Sequence, residues 1–277
     1  MLPEIILKER PEDLIENSIY VYDENANNRM DASDYILWYA KGPTTYSYLN
    51  VFESYEAIGH DFDVASYYFI TWDGAAGKRI SSLPSGEQLT PDATVAQYDH
   101  LIYHESNEEN HIKSGRRWWG DKMQIDRQKT FTYDIPGTKI GNKAAFRTVT
   151  TARSYNQQSS SMSFRYNGSS LGTTTYNAVH GDYTYPYASG DRVSQFKITL
   201  SSQNIELQYS YFKTLNEAAA WIDYFTLAVP RELKILDNQH IIRTDRYNYA
   251  GDVFCLFQIG TSNHQLWKAT NHLAPAL

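Results

Sequence analysis

The sequence predicts an all-β protein of two domains, the second an antiparallel sandwich of jelly-roll form that carries a C-terminal β-hairpin. Three observations lead there. Segments of strand length, rich in β-branched and aromatic residues, recur between Gly, Pro, Asn and Ser turns. Ile205, Leu207, Tyr209 and Tyr211 alternate with Glu206, Gln208 and Ser210, the period of a strand with one buried and one wet face. The 277 residues, with 23 Tyr, 11 Phe and 6 Trp, exceed the usual size of one domain and supply ample core.

The first domain is assigned to residues 1–112. Residues 4–7 suit a short strand and 11–16 a helical turn or linker. Residues 18–22 and 35–40 read as strands on either side of a polar loop, and Lys41-Gly42-Pro43 breaks the chain after them. Residues 46–55 form an extended segment, 66–72 a strand closed by the 73–77 turn, and 78–80 the start of another. Residues 95–105 suit a strand or a short helix. On a strand His100 and His104 share a face, but no third ligand accompanies them, so a surface strand is the reading.

The polar loop between the first two strands, Asp23 to Asp34, has the ligand order of a structural calcium loop. Side-chain oxygens fall at loop positions one, three, five, nine and twelve (Asp23, Asn25, Asn27, Asp31, Asp34), and Arg29 offers its backbone carbonyl at seven. Asn28 takes the sharp turn usually given to glycine. Met30 supplies the inward apolar residue. Asp34 is shorter than the usual glutamate, which resembles the loop of bacterial dockerins. Calcium there would neutralise clustered carboxylates and fix a bend, with no open position for chemistry. The same residues also make turns without any metal.

The second domain is assigned to residues 113–277. Its strands are read at 130–135, 144–154, 161–166, 193–200, 205–212 and 221–229, with a turn or short helical piece at 215–220. Residues 240–243 and 253–259 are expected to pair as a hairpin across a turn at 247–251.

The net charge of −7 gives no support for nucleic-acid binding. No run approaches the ~18 apolar residues of a transmembrane helix, and residues 1–20 lack the pattern of a signal peptide. Met1 followed by Leu-Pro-Glu reads as the beginning of a segment from a longer protein. The single cysteine, Cys255, lies in the apolar run 253–257, where packing is the expected role.

Trp221-Ile-Asp-Tyr-Phe-Thr-Leu227 follows a small-residue stretch and resembles the closing strand of galactose-binding-like and carbohydrate-binding jelly rolls. Five further stretches occur in order: DASDYILWYAKGP (31–43), YYFIT (67–71), GKRI (77–80), ENHIKSGRRWWGD (109–121) and LWKATN (266–271). Together they resemble the region upstream of the peptidase domain in the gingipain-type sortases of the Bacteroidetes type IX secretion system. Lys268 departs from the acidic residue usual after the last tryptophan. The resemblance implies a surface-exposed, outer-membrane-associated or secreted protein of a Gram-negative bacterium. It implies a full-length cysteine endopeptidase that processes the C-terminal signals of secreted cargo. This chain would hold only the non-catalytic β domains, with the adjoining peptidase domain, cargo proteins and other secretion components as partners. No catalytic residue carries over, because Cys255 lies among Phe254, Leu256 and Phe257 with no family catalytic motif around it.

Two other functions are legible. A carbohydrate-binding module would use exposed aromatic faces, and Tyr183, Tyr185 and Tyr187 are spaced to share one, with Pro186 interrupting. Arg116, Trp118 and Trp119 form a cation–π candidate for a ligand, or tie a turn to the core. A hydrolase would need two carboxylates across a cleft, with Asp121, Asp126, Asp223 and Glu206 as candidates.

Overall fold

The computed structural model describes residues 15–60, 63–70, 75–82, 93–113, 115, 117–182, 184–234, 241–247, 253–255, 265–268 and 275. These form two compact units, one of residues 1–43, 63–89 and 261–277 and one of residues 44–62 and 90–260. Residue 112, the expected boundary, therefore falls inside the second unit. Among the described residues the only helical element is a 3-10 turn, Asp245–Tyr247, in an otherwise all-β chain.

In the first unit, β1 (Ile19–Tyr22) and β2 (Tyr35–Trp38) pair antiparallel, from Ile19 opposite Trp38 to Tyr22 opposite Tyr35. The Tyr22 and Tyr35 rings stack at 4.8 Å, a cross-strand pair that holds this register. Arg79 bridges to Ile19 in parallel, so the expected strand at 78–80 is reduced to an edge contact. Residues 66–70 form no strand where one was expected; 71 and 72 lie outside the described residues, as do 4–7 and the linker of 11–14. Tyr68 instead donates its hydroxyl to the Lys41 carbonyl at 3.0 Å.

In the second unit, β3 (Thr45–Leu49) and β4 (Ser54–Ile58) form a hairpin, where the sequence suggests one extended run. Glu53 in the left-handed region, φ 51°, reverses the chain between them. Next come β5 (Ala93–Val95), β6 (Gln97–Glu105), β7 (Gly120–Met123), β8 (Gln128–Asp134) and β9 (Lys143–Arg153). They are followed by β10 (Ser160–Tyr166), β11 (Ser169–Tyr176), β12 (Arg192–Thr199), β13 (Asn204–Phe212), β14 (Ala219–Glu232) and β15 (Val253–Cys255). One sheet runs β11-β10-β13-β8, the other β12-β9-β14-β6 with β7 also on β14. Residues 95–105 are thus strand, and they belong to the sandwich because β6 pairs with β14 from Glu105 opposite Tyr224 to Gln97 opposite Glu232.

The alternation in β13 sends Ile205, Leu207, Tyr209 and Tyr211 into the core against Met162, Phe164 and Tyr166 of β10. The facing sheet contributes Ala144 and Phe146 from β9 and Phe225, Leu227 and Val229 from β14. Each of the buried Val, Leu, Ile, Met and Phe side chains contributes roughly 1.5–3 kcal/mol. Two of the buried tyrosines are satisfied across the sandwich: Tyr209 donates to Thr148 Oγ1 at 3.1 Å, and the Tyr176 hydroxyl lies 2.6 Å from Thr150 Oγ1.

In β14 the inward residues are Ala220 and Ile222 before Asp223, but Phe225, Leu227 and Val229 after it. The register against β9 shifts between Ile222 and Tyr224, so Asp223 is an inserted bulge residue that changes the phase of the strand.

The C-terminal hairpin expected from 240–243 and 253–259 is not what the described part of these segments makes. β15 pairs in parallel with β5, and Arg243 bridges antiparallel to Asp99 on β6. A hairpin of strands this short is marginal by itself, and each segment pairs instead with the stretch 93–105, β15 on β5 and Arg243 on β6. Residues 240 and 256–259 lie outside the described residues.

Candidate functional site

The residues singled out in the sequence fall in three places. The first is the turn of the β1–β2 hairpin. Asp23 accepts the Asn27 amide at 3.2 Å and the Asn28 amide at 2.7 Å, one on each carboxylate oxygen. Asp34 accepts from Glu24 N at 2.9 Å and Asp31 N at 2.7 Å. Asp31 takes the Asn27 side-chain amide at 2.7 Å, and Asn27 Oδ1 takes the Arg29 amide at 2.8 Å. Asn28, at φ 59°, takes the left-handed turn expected of it, and Ala26, at φ 49°, adds a second. Met30 is exposed rather than inward. The donor set is of hard oxygens, as calcium requires. Among the described residues no three His, Cys, Asp or Glu side chains are gathered as a metal site gathers them. The carboxylates here close the loop on its own amides.

The second place is one end of the sandwich, in the second unit. Here the loop 106–119 is pinned by the Glu109–Trp119 bridge, with both backbone bonds at 2.9 Å. Gly120 follows because an added Cβ would lie 1.9 Å from the Ser106 carbonyl oxygen. The Asp223 bulge turns Trp221 to this end, where it packs with Trp119, Ala219 and Tyr187. His111 lies among them, stacked on Trp119 at 5.4 Å and 4.3 Å from the Trp221 ring, with Tyr187 at 4.7 Å. Cations cover the outside: Arg117 lies 4.3 Å over Trp119, Arg153 4.0 Å over Tyr187 and Lys122 5.6 Å over Trp221.

Acids complete this cluster. Glu109 accepts the Trp221 indole at 2.9 Å and pairs with Lys122 at 3.1 Å; burial works against its charge, yet these donors hold its carboxyl below the usual range. Arg117 pairs with Asp191 at 2.5 Å and Asp223 at 3.0 Å. Burial pushes Asp223 up to about 6 against the pull of Arg117, with Asp191 and Glu105 adding to the rise. Burial pushes His111 down to about 4, opposed by Glu109 and helped by Arg153, Lys122 and Arg117.

Trp119, 6% exposed, and Trp221, 0% exposed, are thus parts of a small core and not an open stacking surface. Trp118 beside them is 45% exposed. The tyrosine platform is divided. Tyr187 joins the cluster, whereas Tyr185, 55% exposed, lies against His180 at 4.4 Å. They part because 177–191 is loop and lacks the two-residue period of a strand. Tyr183 and Arg116 lie outside the described residues. His111, Glu109, Arg153 and Trp221 were not singled out as site residues in the sequence. The indole of Trp221 looked like any other apolar strand position, and only the bulge beside it directs it here.

The third place is a set of separated carboxylates. Asp121, in the left-handed region at φ 46°, pairs with His104 at 2.6 Å; Asp126 accepts the Gln128 amide at 3.1 Å; Asp223 pairs with Arg117. Glu206 lines an open cleft of about 590 Å³ with Asp134, Asn167 and Asn204. The four carboxylates proposed for hydrolysis are therefore held in four different settings. His104 packs against Phe131 and Phe225, and so it is a core-edge residue paired with Asp121, where the sequence suggested a surface position.

The fold and these sites define an all-β chain that includes an antiparallel jelly-roll sandwich. No protein-family model matches the chain, and no curated protein matches it by sequence. Among solved structures, dimeric latent PorU from Porphyromonas gingivalis superposes over 99% of this chain with a TM-score of 0.71 and 18% identity. The chain spans 25% of that PorU chain. Two carbohydrate-binding modules overlap in part. The CBM36-1 domain of a multidomain xylanase from the hindgut metagenome of Trinervitermes trinervoides covers 47% of this chain at a TM-score of 0.31 and 11% identity, with 95% of the module matched. A CBM36 module in complex with calcium and xylotriose covers 48% at 0.29 and 7% identity, with 99% of the module matched. The likeness to PorU is one of fold. No helix among the described residues is long and apolar enough to cross a membrane.

Proposed function

We propose that this chain is the non-catalytic β segment of a larger gingipain-like cysteine peptidase of type IX secretion, exported to the cell surface or outer membrane. There it supports the adjoining peptidase domain or docks secreted cargo. The observation that carries this reading is the superposition on PorU over 99% of this chain. The ordered stretches at 31–43, 67–71, 77–80, 109–121 and 266–271 support it independently. The test is to extend the reading frame downstream and to express the long form, with and without residues 1–277, in a type IX-competent host. A downstream peptidase domain, and cargo attached only by the form that keeps 1–277, is the expected result. A stop codon directly after Leu277, or cargo attachment indifferent to the deletion, overturns the reading.

A second reading, a glycan-binding module, is favoured by Tyr185 and Trp118, whose rings stand in solvent on loops of the sandwich. The outer face of the β12-β9-β14-β6 sheet offers no platform, because Tyr55, Tyr46 and Tyr48 of the β3–β4 hairpin pack over Ala145, Ala228 and Leu101 there. Binding on a glycan array that disappears in Tyr185→Ala or Trp118→Ala supports this module. Absence of binding to any polysaccharide excludes it.

Calcium in the β1–β2 turn belongs to the same proposal. Asp23, Asn25, Asn27, Asp31, Asp34 and the Arg29 carbonyl would hold the ion. The carboxylates would turn their remaining lone pairs inward while keeping their amide donors. Thermal melting with added calcium and with chelator decides this. A rise with the ion supports it, and identical curves overturn it.

A further inference from the structure

Within the second unit, the outer face of the β12-β9-β14-β6 sheet is covered by the β3–β4 hairpin and by residues 241–247, which cross β6. Several bonds hold this cover. Thr226 Oγ1 donates to the Tyr55 carbonyl at 2.5 Å, the Tyr55 hydroxyl donates to Asp245 at 2.9 Å, and Asp99 N donates to the Arg243 carbonyl at 2.9 Å.

Asp99 lies beneath it, 0% exposed, and neither carboxylate oxygen receives a well-formed hydrogen bond, since the neighbouring Tyr55 hydroxyl gives its one proton to Asp245. The nearest cation is Arg246, whose Nε is 3.3 Å from Asp99 Oδ2 without the alignment of a hydrogen bond. The rest of that guanidinium is engaged elsewhere: Nη1 donates to the Lys143 carbonyl at 2.7 Å and Nη2 to the Glu53 carbonyl at 3.0 Å. The other groups that act on this position are acidic or phenolic. Asp245 comes from the crossing segment, Glu53 from the hairpin turn, and Tyr48, Tyr55 and Tyr247 surround it. Glu53 has its own cation in Lys197 at 3.2 Å, and Arg243 lies over the Tyr46 ring at 5.0 Å. A buried carboxylate in such a setting costs free energy as an anion and much less as an acid, which can donate to a neighbouring oxygen.

We propose that Asp99 is a proton-operated latch: it binds a proton as the β3–β4 hairpin and residues 241–247 close over the sheet, so closure tightens as the medium acidifies. Burial pushes Asp99 up to about 6, against the pull of Arg246 and of the Tyr55 hydroxyl, with Asp245 and Glu53 adding to the rise. Its folded value lies above the ordinary carboxylate value, so the gain is complete below about pH 4 and is lost as pH rises through about 6. A shift of this size makes closure about a hundredfold weaker at neutral pH than in acid.

The test uses the intact chain. Hydrogen exchange at the Tyr247 amide, bonded to the Thr244 carbonyl at 2.8 Å, is followed between pH 4 and pH 8 in wild type and Asp99→Asn. The ratio of the two cancels the intrinsic pH dependence. Protection in the Asn variant should match wild type at the acid end and exceed it about a hundredfold at pH 8, where only wild type carries the buried charge. Glu53→Gln should move the midpoint to lower pH and keep the dependence. A ratio independent of pH overturns the latch, and so does an Asp99→Asn protein less protected or unfolded at pH 8, since the neutral side chain is the one the closed state prefers.

Discussion

Arg147 on β9 and Glu56 on β4 meet at 2.7 Å across the layer between sheet and hairpin, with the arginine side chain 6% exposed and the glutamate 40%. Arg147 also donates to the Tyr224 hydroxyl at 2.5 Å, so its charge is spread over two acceptors from different elements. The unequal exposure makes the pair asymmetric. Glu56→Ala strands a buried guanidinium and should cost about 2–3 kcal/mol. Arg147→Met leaves a carboxylate that water can reach and should cost only about 1 kcal/mol. Denaturant unfolding of both variants measures the order, and the reverse order contradicts the account.

Gly120 is required by approach rather than by backbone angle. With the Ser106 carbonyl oxygen 1.9 Å from the position of a Cβ, Gly120→Ala must push apart the loop 106–119 and β7. A loss of about 3 kcal/mol or more is expected, larger than an ordinary glycine replacement. Loss of the Arg117–Trp119 and His111–Trp119 contacts should accompany it, read as a change in tryptophan fluorescence.

His111 links the aromatic end of the sandwich to pH. Its folded value of about 4 lies below the ordinary 6.5, so the fold favours the neutral ring. Stability from this site is full above about pH 6.5 and declines as pH falls toward 4. Part of the ring is solvated, so the contribution is about 1 kcal/mol and not the full value of the shift. His111→Phe should remove that part of the acid sensitivity. Melting curves from pH 4 to pH 7 provide the check, and an unchanged slope sinks the claim.

Asp23 caps two exposed amides of the β1–β2 turn. Asp23→Ala should lower the stability of that hairpin by about 1 kcal/mol, and Asp23→Asn by less, because an amide oxygen still accepts. Exchange rates at the Asn27 and Asn28 amides report the change.

Much of the sandwich was legible because burial leaves a pattern. β8, β9, β10, β12, β13 and β14 each lie within a few residues of a segment whose apolar character marks a strand. β11 left no such mark: Ser169–Tyr176 is largely Ser, Thr and Gly, and it is a strand because β10 pairs with it from Ser160 opposite Tyr176 to Tyr166 opposite Ser169. β7 is four residues, too short for a period to show. The candidate sites were less legible. The two-residue spacing of Tyr185 and Tyr187 implies a shared face only on a strand, and the loop there sends them to different neighbours. Asp99, directly before the first of the two histidine candidates in the same strand, carries no mark in the sequence, because its burial comes from segments distant in the chain.

The path of the backbone bears on any attempt to dissect this protein. Because the polypeptide leaves the first unit after residue 43, revisits it over 63–89 and returns at 261, neither unit can be liberated by trimming from one end. A shortened clone that stops before 261 deprives the first unit of its closing stretch, and one that starts at 113 robs the sandwich of an edge strand. Exchange of either unit between relatives will succeed only when all of its separated pieces travel together.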